Sequence, residues 1–365
     1  MAETTKIEWA THTWNPWIGC TKVHTGCKNC YAEAMQGRLG VEWGPNGTRR
    51  RTAESTWRKV EAWNRWDHKC MNCGYMCFHL GEHPGEVRSR CCNANAVPAR
   101  PRVFPSLCDP FEDWSGVIRD HKGLTMHTPD GQRYLLMSDV RRDFFALIDR
   151  TPNLDWLLLT KRPENVRRMW PLFSGGVHRY SSVPNELLGP QVVSHQYQPN
   201  VWLLYSASDQ ATLESGLPHL LACRDFVPVL GLSLEPLVGP VELPTHFCRD
   251  DGPGCFAHGR LREWISWVVV GGESGPNARP CNIEWIRSIV QQCKSARVPC
   301  FVKQLGADCI DVEAALGRGN WPDGTEIWGL SGRIRLRDPK GGDPSEWPDD
   351  LRVQEFPQRQ RELIP

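Results

Sequence analysis

Val201-Trp202-Leu203-Leu204-Tyr205 is an unbroken β-rich apolar run that stops at Ser206, Ser208, Asp209 and Gln210, and a helix-like stretch follows from Ala211 to Ala222. The arrangement recurs on both sides. Arg102-Val103-Phe104-Pro105 runs into Ser106 and Asp109, and Trp156-Leu157-Leu158-Leu159 runs into Thr160, Lys161, Arg162 and Pro163. Val229-Leu230-Gly231-Leu232 leads through Ser233 to Glu235-Pro236. Trp267-Val268-Val269-Val270 leads to Gly271-Gly272-Glu273-Ser274, and Pro299-Cys300-Phe301-Val302 to Lys303 and Gln304. Phe144 to Ile148, Glu164 to Trp170 and Ile283 to Cys293 are also helix-like. Near-continuous apolar strands alternating with amphipathic helices predict a parallel α/β sheet covered on both faces. Polar clusters after successive strands gather at one rim, where a (β/α) barrel or a doubly wound sheet places its site. Six in succession favour a shared site over loops that are merely wet.

The remaining segments set the domain organisation. Residues 1–40 form an N-terminal cysteine-loop segment of the barrel, and 41–100 form an insertion rich in Cys, Arg and Trp. Residues 101–305 are the main α/β barrel, with loop insertions at 171–200 and 246–262. Residues 306–365, with Gly-Gly-Asp-Pro and Trp-Pro turn signals, form a C-terminal appendage.

Forty per cent hydrophobic residues suffice for a real core. Lys+Arg of 43 against Asp+Glu of 42 excludes a global basic footprint, so any nucleic-acid surface is local. Met1 to Trp9 carries Glu3, Lys6 and Glu8 and has no apolar h-region, which argues against a signal peptide. No stretch approaches the roughly 20 apolar residues that span a bilayer. The expectation is a cytoplasmic protein with no membrane partner. Sixteen cysteines in a reducing compartment then point to metal or redox chemistry rather than disulfides. Cys108, Cys223, Cys281, Cys293, Cys300 and Cys309 are unclustered and read as small core residues.

The first cluster decides the chemistry. Trp14-Asn15-Pro16-Trp17-Ile18-Gly19-Cys20 leads to Gly26-Cys27-Lys28-Asn29-Cys30-Tyr31-Ala32-Glu33, a C-x6-C-x2-C spacing. Thiolates ligate iron clusters, and three of them leave one iron of a four-iron cluster open for a substrate or cofactor. A structural site fills all its positions, whereas a reactive one keeps one free. The alternatives are a zinc site completed by His24 or His12, and three unconnected core cysteines.

A second cluster, Cys70, Cys73, Cys91 and Cys92 with Cys77 or His83 as substitutes, has zinc-ribbon-like spacing and would staple an insertion poor in aliphatic residues. An auxiliary iron–sulfur cluster or no metal are its alternatives. His246, Cys248, Cys255 and His258 form a third group, either a zinc site or an irregular loop. From 45 to 102 the chain carries 11 Lys/Arg against 5 Asp/Glu, including Arg49, Arg50, Arg51, Arg58, Lys59, Arg65 and Lys69, with Trp57, Trp63 and Trp66 among them. Such a patch contacts phosphates and stacks on bases, unless the tryptophans pack on the barrel.

At the rim, Lys161 or Lys303 would hold a carboxylate or phosphate, and Arg162 would clamp one bidentately. Glu235 and Glu273 would bind an amine or ribose hydroxyls or act as acid–base groups. Ser206, Ser208 and Gln304 are placed for cofactor contacts, against the alternative that these residues only close a barrel mouth.

The run from Ile7-Glu8-Trp9 to Tyr31-Ala32-Glu33 resembles a phage-associated three-cysteine-motif family that is radical-SAM-like and of unsettled function. The resemblance continues through Leu159-Thr160-Lys161-Arg162-Pro163, Ser233-Leu234-Glu235-Pro236, Val270-Gly271-Gly272-Glu273-Ser274-Gly275-Pro276 and Phe301-Val302-Lys303-Gln304. It implies a partial (β/α) barrel of the radical SAM type with metal-stapled insertions. It also implies a [4Fe–4S] cluster on Cys20, Cys27 and Cys30, S-adenosylmethionine, an electron donor protein and, for a phage protein, the host cytoplasm. Two features depart from the radical SAM pattern: the first cysteine gap is six residues rather than three, and Gly-Gly-Glu follows a late strand rather than an early one. The expected function is radical modification or repair of a nucleic-acid base. A non-catalytic zinc-dependent nucleic-acid-binding protein, and a radical enzyme acting on a small molecule or peptide, are the competing readings.

Overall fold

The apolar runs do become strands, and they pair in the order in which the chain makes them. In this computed structural model the main sheet comprises β1 (His12–Thr13), β2 (Arg102–Phe104), β3 (Asp155–Thr160), β4 (Val201–Ala207), β5 (Val229–Leu234), β6 (Trp267–Gly271) and β7 (Cys300–Gln304). All neighbours are parallel and the spatial order equals the chain order, giving a curled half-barrel of seven strands. A doubly wound sheet would reverse its direction of growth at a switch point. None occurs here. The structure describes residues 4–5, 7–65, 100–172, 195–245, 260–318, 320–322, 324–329 and 332–357, and the backbone alone of 67–69, 76–78, 246–248 and 258–259.

The longer crossovers carry α1 (Met137–Arg150), α2 (Pro163–Met169), α3 (Gln210–Leu221) and α4 (Ile283–Ala296). Local chemistry starts them: Asp209 caps α3 by accepting from Thr212 N, Asn282 caps α4, and Pro163 occupies the first turn of α2. Strand side chains alternate between two cores. Leu158, Leu203, Tyr205, Leu230, Leu232, Val268, Val270 and Val302 belong to the outer core with the helices. Phe104, Leu157, Trp202, Leu204, Val229, Trp267, Val269 and Phe301 join Trp9 in a separate inner cluster. Continuing the inner alternation toward the strand ends places Lys161, Ser206, Ser233, Glu235 and Lys303 one layer above this aromatic floor.

The floor is closed by the segment Val353 to Phe356. Val302 N donates to Val353 O at 2.8 Å and Glu355 N to Cys300 O at 2.9 Å. Trp267 Nε1 donates to Glu355 O at 2.8 Å, Phe356 stacks on Trp267 at 5.6 Å, and the Arg102 guanidinium lies 4.1 Å from the Phe356 ring centroid. The C-terminal region also holds a second sheet of Cys281–Asn282, Cys309–Ile310, Arg333–Arg335 and Glu326–Trp328.

In the 41–100 insertion, helix Glu54–Trp63 packs on the barrel. Trp57 is buried edge-on against Trp14 at 5.0 Å, and Trp63 stacks on His12 at 4.2 Å. These two tryptophans therefore serve packing, not base stacking. The side chains of the proposed zinc ligands Cys70, Cys73, Cys77, His83, Cys91 and Cys92, and of His246, Cys248, Cys255 and His258, lie outside the described residues, as does Trp66. Backbone pairing of His246–Cys248 with His258–Arg260 sets Cys248 opposite His258. Among the described residues no helix is long and apolar enough to cross a membrane.

Candidate functional site: a cysteine loop across the mouth of the half-barrel

β1 delivers the chain to the rim where the polar layer lies, and the cysteines follow it. The first anchor is at Gly19–Thr21. Gly19 N donates to Leu107 O, and Leu107 N donates to Asn15 Oδ1 at 2.6 Å. Thr21 N donates to Glu112 Oε1 at 2.8 Å, and Arg49 Nη2 to Thr21 Oγ1 at 2.7 Å. Arg49 and Glu112 form a bidentate pair, with both contacts at 2.7 Å, and are 0% and 1% exposed. Arg162, also buried, donates to Asp109 Oδ2 at 2.8 Å and Thr21 O at 2.5 Å, and its Nη1 lies 3.6 Å from Cys20 Sγ. Two guanidinium and two carboxylate groups thus balance within one dry network, the condition for burying charge. Burial, then Glu112, pushes the Cys20 thiol up to about 12, against the pull of Arg162. Without metal it is a neutral thiol.

The second anchor begins at His24. Its Nδ1 accepts from Gly26 N at 3.0 Å, which leaves the proton on Nε2 facing Ser206 O at 3.2 Å. Burial, with help from Lys161, lowers its pKa to about 4. Thr25 Oγ1 donates to Asp209 Oδ2 at 3.1 Å. Gly26 then presses onto the fully buried Ser208: a Cβ at this position would sit 2.0 Å from Ser208 Oγ. Gly26→Ala is expected to cost about 1–3 kcal/mol by overpacking. The Ser208 hydroxyl has no hydrogen-bond partner among the described residues, so Ser208→Ala alone should be near neutral and should recover part of the Gly26→Ala loss. Urea titration of the four proteins checks this, and no recovery in the double variant would mean the contact is not the cause.

Between the anchors and above the floor lies one connected polar layer. Lys161 Nζ donates to Ser206 Oγ at 2.5 Å, and Ser206 Oγ donates to Glu235 O at 3.0 Å. The Glu235 carboxylate takes the Lys303 ammonium and the Gln304 amide, the latter at 2.9 Å. Ser233 Oγ, almost fully buried in register with Ser206, has no partner among the described residues. Burial lowers the Lys161 pKa, while Cys27, Glu235 and Cys30 stand near enough to oppose that. Among the described ion pairs Lys161 has no carboxylate partner, so its positive charge faces the Cys27–Cys30 turn.

The sequence-predicted site residues therefore separate into two groups. Lys161, Ser206, Glu235, Lys303 and Gln304 form the inner layer. Arg162, Ser208 and Glu273 serve the loop: Arg162 is committed to Asp109 and Thr21, Ser208 is covered by Gly26, and Glu273 is occupied by Arg279 and Asn29. Burial raises the Glu273 pKa, but the hydrogen bonds from Arg279 and Asn29 outweigh it and hold the carboxyl below its usual range. The glycine before it is required by strand approach, since a Cβ on Gly272 would lie 2.3 Å from Leu305 O. Asp109, Glu112, Asn29 and Arg279 carry roles the sequence did not reveal. Only Asp109 gave a signal, by following a strand. Arg49, counted in the basic patch, is buried on Glu112 and faces no phosphate.

The donor set suits a thiolate-held cluster: three thiols from one loop, with Arg162 and Lys161 beside them to offset thiolate charge. Among the described residues no three Cys, His, Asp or Glu side chains converge tightly enough to enclose one metal ion. His24 has both ring nitrogens engaged with backbone, and His12 stacks on Trp63. Cys108, expected to be a plain core cysteine, stands near Cys20. Burial, then Cys20, raises its pKa well above the usual thiol range.

An α/β half-barrel with a cysteine loop tethered across its C-terminal mouth is the class that fold and site define. The chain belongs to the family described as protein of unknown function (DUF5131), which matches residues 4–96 and 130–329. No curated protein matches it, and no solved structure does.

Proposed function

We propose that this protein is a radical-SAM-like iron–sulfur enzyme of the cytoplasm. In this reading Cys20, Cys27 and Cys30 hold a [4Fe–4S] cluster, S-adenosylmethionine binds beneath it, and the substrate is a nucleic-acid base. The observation that carries the reading is the position of the C-x6-C-x2-C loop. Its His24, Thr25 and Asn29 bond to Ser206 O, Asp209 and Glu273 at the C-terminal strand ends, and Cys27 and Cys30 stand near Lys161 of the inner layer. The resemblance to the three-cysteine-motif family supports it. Bound there, cluster and cofactor would supply a 5′-deoxyadenosyl radical by reductive cleavage, chemistry that no side chain provides. The chain's own residues bind, orient and exclude water. Lys161 presents a cation to a carboxylate or to thiolate charge, and Glu235, fixed by Lys303 and Gln304, accepts from an amine or hydroxyl. The Trp202, Trp267 and Phe301 floor keeps water from a reactive species. Exposed Arg58, Lys59 and Arg65 support a nucleic-acid substrate. An electron donor protein, and a structural zinc on Cys70, Cys73, Cys91 and Cys92, belong to the same proposal.

Iron, sulfide and zinc content and the visible spectrum of anaerobically purified protein test the reading. About four irons per chain are expected, followed by S-adenosylmethionine cleavage to methionine and 5′-deoxyadenosine once a reductant is added. Zinc alone, in protein supplied with iron and never exposed to oxygen, would overturn it. Binding of DNA or RNA that weakens with salt separates a nucleic-acid substrate from a small molecule or peptide.

A further inference from the structure

Gly271-Gly272-Glu273 ends β6 with an acidic residue that would ordinarily be offered to a ligand. Here its carboxylate is already engaged by four donors of the protein. Oε2 accepts from Asn29 Nδ2, Arg279 N and Arg279 Nε, each at 2.9 Å, and Oε1 accepts from Arg279 Nη2 at 2.6 Å. A carboxylate offers about four acceptor sites; here three donors crowd Oε2 and one meets Oε1, and the residue is only 4% exposed. Arg279 Nη1 goes on to donate to Thr25 O at 2.9 Å, while Asn29 Nδ2 also donates to Asn277 O at 2.8 Å. Residues 25 and 29 of the cysteine loop are thereby joined to residues 273–279, nearly the length of the barrel away in sequence. Asn29 stands between Cys27 and Cys30.

We propose that Glu273 and Arg279 are positioning residues: they latch Asn29 and Thr25, and so fix where the Cys27 and Cys30 thiols stand over the mouth. The requirement is specific to a carboxylate, because all four neighbours are donors. Glutamine would turn its own amide donors toward at least one of them. Arg279 is equally specific, since lysine cannot reach both carboxylate oxygens and Thr25 O at once.

The latch is tested on the full chain, reduced and metal-free, by iodoacetamide alkylation followed with peptide mass spectrometry. Cys27 and Cys30 are expected to react about tenfold faster in Asn29→Ala and Glu273→Ala, the scale of losing a hydrogen bond to a charged group. Glu273→Gln should accelerate them similarly. The buried Cys223 and Cys281 should stay unmodified throughout. The isosteric Asn29→Asp, which sets a carboxylate against both Glu273 and Asn277 O, should accelerate Cys27 and Cys30 as much as Asn29→Ala does. Unchanged alkylation in both alanine variants would overturn the latch. Where Cys223 and Cys281 also react, the alanine variant has unfolded and the isosteric Glu273→Gln and Asn29→Asp decide, wild-type rates at Cys27 and Cys30 in both overturning the proposal. The latch rests on the cluster reading only for its purpose. Wild-type protein that shows the alkylation pattern yet takes up no iron would leave the latch standing and remove the cluster.

Discussion

Glu112→Ala is expected to lower the free energy of unfolding by about 3–5 kcal/mol, the range for removing one partner of a buried ion pair. Arg49 is left with its charge in a site that water does not reach, because both side chains are essentially inaccessible. The loss spreads, since Thr21 N and Arg162 also face the Glu112 carboxylate. Urea or guanidinium denaturation gives the number. Arg49→Met combined with Glu112→Leu should recover much of it, because an apolar pair of similar volume avoids the desolvation cost. A shift below about 1 kcal/mol for Glu112→Ala would place the pair with ordinary surface salt bridges, and the network would no longer explain how Cys20 is held.

Cys27→Ala should take iron from about four per chain to well under one, and abolish S-adenosylmethionine cleavage with it. Cys27 is buried directly after the second anchor of the loop, so alanine removes the proposed ligand with little change of volume. Cys108→Ala is the informative control. It lies near Cys20 but outside the C-x6-C-x2-C motif, and its removal should leave iron content intact. A fully loaded, active Cys27→Ala protein would end the assignment of the motif, whatever the spectrum of the wild type.

The barrel was legible because its signals are local. Trp156 to Leu159, Val201 to Tyr205 and Trp267 to Val270 each announce a strand within a few residues, and the intervening helices have their own period and caps. His12–Thr13 escaped notice because two residues carry no periodicity. The choice between a half-barrel and a doubly wound sheet lay in strand order, which no single segment encodes. The same holds for the site. Lys161, Glu235 and Lys303 follow strands and could be read. Asn29 against Glu273, or Arg49 against Glu112, are contacts 244 and 63 residues apart, visible only once the chain has folded. What those contacts changed was the division of labour: Arg162, Ser208 and Glu273 hold the loop, and Lys161, Ser206, Glu235 and Lys303 form the inner layer.

The aromatic floor has a kinetic consequence. Trp9 meets Trp267, and Trp267 meets Phe356, so the first and last described parts of the chain are joined through one ring. Such closures raise the contact order, and folding rates fall as loop-closure entropy is met before the contacts form. During synthesis the strands emerge one after another in the order of the sheet. The inner rings remain open to water and to chaperones until residues 352–357 have left the ribosome. The segment around Phe356 therefore sets the time at which the aromatic floor becomes dry.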